Sequence, residues 1–227
     1  MRHAAISLFV LAALGGPMAH AVELELPAGG GSFALRVASL AAIRYQSTVR
    51  QQYDFSCGSA AVATLLSYHY GFPADEQHVF ADMYAHGDQA KIRREGFSLL
   101  DMKRYLAQHG FTADGYELPL AKLVQARYPA IVLVSDHGYQ HFVVVKGVAD
   151  GRVLLGDPAV GTRAMSEAAF DAIWRNRLLF VIHGWRGTAR FNAVADWRAA
   201  PRAPLADAFD SRGLADVTLP KNGPGNF

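Results

Sequence analysis

The sequence of 227 residues contains one cysteine, Cys57, so no disulfide can form within the chain. It also lacks an excess of charge of either sign, with 22 Lys and Arg against 20 Asp and Glu and no block of like charges. That balance excludes the basic footprint of a nucleic-acid binder and the patch of a membrane-surface protein, and leaves a peptide or protein as the expected partner. Past the first two dozen residues no apolar run approaches the roughly 20 residues that span a bilayer, so the mature chain is not expected to insert into one. Repeats and low-complexity blocks are missing too. The nearest approach to a metal-ligand cluster is Asp136, His137 and His141, spread over a turn and a strand with no second ligand group, which is a weak signature. No metal or cofactor is expected.

What the chain does have begins at its N-terminus. Arg2 and His3 precede an apolar run from Ala4 to Leu14, and the stretch ends in Ala19-His20-Ala21, a small-x-small cleavage pattern. Residues 1–21 therefore read as a secretory signal peptide, and the mature protein is expected in the periplasm or outside the cell. A lone thiol sent to an oxidising compartment is either buried and inert or kept for its reactivity.

Residues 22–48 read as an N-terminal extension, with a Gly-rich turn and a Phe33, Leu35, Val37 alternation that suggests a hairpin. From Ser56 the spacing turns helical through Tyr68 and is stopped by Gly71 and Pro73. Further helices are expected over Asp75–Ala85, over the stretch that Ser98 opens and Gly110 closes, and from Pro119. After Pro129 the period becomes two: "AIVLVSD", "YQHFVVVKGV" and "GRVLLGD", split by turn signals, read as consecutive antiparallel strands. A helix near Ser166–Trp174 and a strand "LLFVIHG" follow, so residues 49–184 form one α+β domain with helices packed on an antiparallel sheet. Residues 185–227 lose periodicity and gain prolines, and are expected to be a peripheral or partly disordered tail.

Cys57 stands at the start of a helix, where the dipole favours a thiolate; a buried, inert cysteine fits the local sequence equally well. His141 opens an apolar strand and could serve as a base, with His137 in the preceding turn as its rival; a merely structural histidine is the simpler reading of either alone. Asp157 ends the next strand beside Pro158, where a carboxylate could orient an imidazole or simply form an Asp-Pro turn. Gln51 and Gln52, just upstream of Cys57, could donate to an oxyanion.

The set "QQYDFSCGSAAVATLL", "HFVVV" and "DP" resembles the C39 family of papain-like cysteine peptidases, the bacteriocin-processing type, over residues 45 to 183. The resemblance implies a papain-like fold and assigns Cys57 as nucleophile, His141 as base, Asp157 as its orienter and Gln51 as oxyanion donor. Ser56 departs from the aspartate that transporter-linked members carry before the cysteine. Together with the leader, this departure aligns the chain with exported, stand-alone forms, some of which accompany machinery that secretes bacterial functional amyloid. The expected activity is cleavage of a peptide or protein, possible substrates being a fibre-forming protein or its export machinery. A non-cleaving peptide-binding module on the same fold is the alternative, and a transglutaminase-like acyl transferase ranks third.

Overall fold

The computed structural model describes residues 38–136 and 138–201. The chain divides into two units at Ile43 and Arg44. The described part of the first holds the start of a short helix, α1 (Leu40–Arg44), where the Ser39 hydroxyl accepts the Ala42 N–H at 3.1 Å. All further elements belong to the second unit.

Helix α2 (Cys57–Thr64) is buried along its whole length, as a helix apolar on every side must be. Its small side chains let neighbours approach closely: a Cβ on Gly58 would stand 2.9 Å from both Met102 and Phe97. The helix continues as a π-helical turn, Leu65–Tyr70, that Gly71 ends in the left-handed conformation. Around it pack α3 (Glu76–His86), capped by the Asp75 side chain, α4 (Gln89–Glu95) and α5 (Leu99–Gln108). Ser98 and Asp101 open α5 with a capping box, each side chain taking the other's backbone N–H.

The remaining elements are β1 (Thr112–Glu117), α6 (Ala121–Ala126), β2 (Ala130–Asp136), β3 (Tyr139–Ala149), β4 (Arg152–Asp157), β5 (Gly161–Ser166), α7 (Glu167–Ile173), β6 (Leu178–His183) and α8 (Val194–Arg198). The strands form a six-stranded antiparallel sheet in the order β1-β6-β2-β3-β4-β5, which leaves β1 and β5 at its edges. The period of two in the central strands divides their side chains between two cores. Ile131, Val144, Phe180 and Ile182 join α2, α3 and α5 on one face, while Val132, Val134, Val143 and Val145 meet Leu123 of α6 and Phe170 of α7 on the other.

Several expectations are revised. The 22–48 hairpin falls largely outside the described residues; within them, 40–44 are helical and Thr48 hydrogen-bonds to Thr162 of β5 at 2.8 Å. Part of the tail expected from 185 is packed on the domain. Ala189 and Phe191 are buried, and Asp196 of α8 reaches the fully buried Lys146 of β3 at 3.4 Å. A buried ammonium needs a counter-charge, and a segment recruited for that carries no apolar period to betray it. Residues 202–227 and His137 lie outside the described residues. Strands β1 and β5 and helix α4 were not anticipated.

Candidate active site

The nucleophile candidate opens α2. Ser56 makes no side-chain cap there; its hydroxyl is engaged with Tyr53 instead, donating to the carbonyl and accepting the N–H, both at 3.1 Å. The Cys57 thiol is 6% exposed and lies against the backbone N–H groups of Phe142 and Gly58. Burial pushes the thiol pKa up; those N–H groups oppose the shift and the Asp157 charge reinforces it. The helix start thus does not by itself make a resting thiolate, as the sequence suggested, because desolvation of the sulfur outweighs the amide dipoles. A proton acceptor beside it is needed.

His141, the neighbour on β3 of the Phe142 whose N–H meets the thiol, is the candidate. It is buried, and its Nε2 is 3.1 Å from Asp157 Oδ2. Sheet register explains the pairing. Val144 stands opposite Gly156, so the next positions set Asp157 opposite Val143, two residues along from His141 on the same face, the diagonal relation that lets polar side chains meet. With Nε2–H donated to a carboxylate, the imidazole's Nδ1 bears the lone pair. In this structure Nδ1 is buried without a hydrogen-bond partner. Tyr139, also on the same face, stacks on the ring with centroids 5.2 Å apart and donates to Asp54 O at 2.8 Å.

Asp157 is 1% exposed, yet its pKa is held below the ordinary carboxylate value. Burial opposes that, and is outweighed by the bond from His141, the Ala159 N–H on Oδ1 at 3.0 Å, and the Arg163 guanidinium. Arg163 donates to Oδ2 from Nε at 3.1 Å, and its Nη2 makes an ion pair with the same oxygen at 2.9 Å.

Gln51 is brought to the same place by its backbone N–H, which donates to Pro158 O at 3.1 Å in the turn that follows Asp157. Its Nε2 donates to Tyr53 O at 3.1 Å, and its side chain bears on the Tyr139 hydroxyl, which also feels the charge of Cys57. All four residues singled out in the sequence therefore converge on one locality. Sequence reasoning missed Arg163 and Tyr139 as members of it. Tyr139 had a usable signal, its place two residues from His141 on one strand face; Arg163 needed the β4–β5 register. Among the described residues there is no cluster of three or more potential metal ligands, and no helix is long and apolar enough to cross a membrane.

The arrangement can take a proton from a thiol, hold the resulting imidazolium on a carboxylate, and offer amides to an oxyanion. A family model described as "Peptidase C39 family" matches residues 45–184. A protein of Pseudomonas aeruginosa called "Probable functional amyloid protease FapD" is 42% identical over 186 residues, which cover 81% of this chain and 80% of the relative. One of the same description from Pseudomonas fluorescens is 38% identical over 206 residues, covering 90% and 88%. The peptidase domain of Streptococcus ComA, a bi-functional ABC transporter, matches with a TM-score of 0.51 at 22% identity, over 61% of this chain and 98% of that domain; this is a likeness of fold.

Proposed function

The chain belongs to the peptidase C39 family and is a cysteine peptidase, and on that premise we propose that Cys57, His141, Asp157 and Gln51 do its chemistry on an exported, fibre-forming substrate or on the machinery that exports it. The observation that carries the catalytic reading is the buried imidazole of His141, fixed through Nε2 on Asp157 with Nδ1 left open.

In the proposed mechanism, Nδ1 of His141 takes the thiol proton as the sulfur of Cys57 bonds to the scissile carbonyl carbon. The carbonyl π pair moves onto oxygen, and Gln51 Nε2 with the Cys57 N–H receives the oxyanion. The oxyanion collapses, the C–N bond breaks, and the Nδ1 proton leaves on the amine. Water, deprotonated by the same nitrogen, then attacks the thioester and restores the thiol. Asp157 stays ionised throughout and holds the ring in one tautomer.

Support for the substrate class comes from the two relatives' descriptions as functional amyloid proteases, and support for export from the signal-peptide pattern read in residues 1–21. The test is to express the full chain and its Cys57→Ala form beside candidate fibre-forming proteins, fractionate the cells, and identify cleaved termini by mass spectrometry. The reading predicts cleavage outside the cytoplasm by a chain beginning near Val22, and none with Cys57→Ala. Equal cleavage by the Cys57→Ala form would refute the catalytic assignment, and activity confined to the cytoplasm would refute export.

A further inference from the structure

Arg163 has no part in the mechanism above, yet it makes the shortest contact, 2.9 Å, to the carboxylate on which that mechanism turns. It lies on β5, where Asp157 pairs with Gly161. Arg163 is two residues further along the strand, so it reaches Asp157 by a diagonal like that of His141, from the opposite neighbouring strand. Both donors end on the same oxygen, Oδ2: His141 Nε2 at 3.1 Å, Arg163 Nε at 3.1 Å and Nη2 at 2.9 Å. The other oxygen is held by Ala159 N–H. The third guanidinium nitrogen, Nη1, is 3.5 Å from Asp136 Oδ2 at the end of β2, so the side chain spans the sheet from β4 to β2.

We propose that Arg163 is a positioning residue that locks the Asp157 carboxylate in the plane His141 needs and neutralises part of its charge, thereby setting the pH window in which Cys57 and His141 exchange a proton. This inference rests on the catalytic reading of those three residues.

The physical reason is a balance. A carboxylate buried to this degree would resist ionisation if left with one imidazole. A cation placed on it keeps it ionised, but also weakens its hold on an imidazolium. The groups that face this carboxylate are His141 and, above its ring, Tyr139 from β3; Asp136 from β2, through Arg163; Cys57 from α2; and Tyr45, whose own ring lies under Arg50. Arg163 is the one cation among them in contact with Oδ2 other than the imidazole itself.

The experiment follows alkylation of Cys57 by iodoacetamide from about pH 4 to about pH 10, with thermal unfolding measured alongside, in the wild type and in R163Q, R163K, D157N, H141A and the D157N/R163Q pair. With the cation gone, Asp157 ionises at higher pH, and the uncompensated negative charge disfavours the thiolate of Cys57. The rise of the R163Q profile should therefore move to alkaline pH by about one unit, the low end of what one adjacent opposite charge does. R163K keeps the charge without the fork and should retain the wild-type window. Once Asp157 is Asn, adding R163Q should move nothing further. An R163Q profile that superimposes on the wild type, whatever happens to unfolding, overturns the proposal. A wild-type profile identical to that of H141A would sink the catalytic reading instead, and this inference with it.

Discussion

A buried thiol that is harder to ionise than a free one can be a nucleophile only if something nearby takes its proton, the part proposed for His141. His141→Ala should therefore leave Cys57 with only the raised thiol pKa. Its alkylation at pH 7 should fall by roughly tenfold or more, and should go on rising with pH well above the range where an ordinary cysteine levels off. Mass-spectrometric labelling rates of the two proteins check this. The same residues mark how far the sequence could be read. Cys57, His141 and Asp157 stood out through the resemblance of their motifs to a known family, and for His141 and Asp157, 16 positions apart, the register of a strand pair with a short turn explains why they meet. The state of the thiol was not legible, since it depends on how deeply α2 is buried. Arg163 had no place in the sequence reading at all, because β5, which pairs it against β4, was not anticipated.

At the scale of elements, α2 is where sequence and packing agree most closely. A helix of Gly, Ser, Ala, Val and Thr has little to recommend it as an amphipathic surface helix, and it is entirely enclosed. Gly58 is the tightest point. In Gly58→Ala the terminal methyl of Met102 could swing aside, but the Phe97 Cβ, 2.9 Å away, moves only with its backbone. The expected cost is about 1–3 kcal/mol of stability, read as a lower denaturation midpoint at unchanged slope. The elements that escaped notice are those with little apolar content to bury. In α4 only Ile92 is buried, and in β1 only Ala113, so neither shows a period. The long central strands and the capped α5 bury a regular stripe, and were visible for that reason.

At the scale of the whole molecule, the stretch beyond β6 is fastened over a polar cluster that no motif or periodicity announces. His69 of the π-helical turn is buried, its Nδ1 donating to Arg190 O at 2.5 Å, with Nε2 unpartnered. Burial above all, reinforced by the Lys146 charge and opposed by the Arg190 carbonyl, brings its pKa down to about 4. A histidine that is neutral in the fold and protonates near pH 6.5 when unfolded contributes stability that is complete above pH 6.5 and is lost as the pH falls towards 4. The loss should amount to about 3 kcal/mol at most. Thermal unfolding across that range should show the decline, and His69→Asn, which preserves the donor to Arg190 but cannot titrate, should flatten it.

The outer edge of the sheet has a consequence of its own. Strand β1 pairs on one side only, with β6, and along its six residues it carries Asp114, Gly115 and Glu117. Asp114 is bound to both Lys103 and His183. An open strand studded with charge and interrupted by glycine is a poor template for another strand to add to. An enzyme proposed to handle chains that assemble strand upon strand is thus built so that its own exposed border does not become a seed for them.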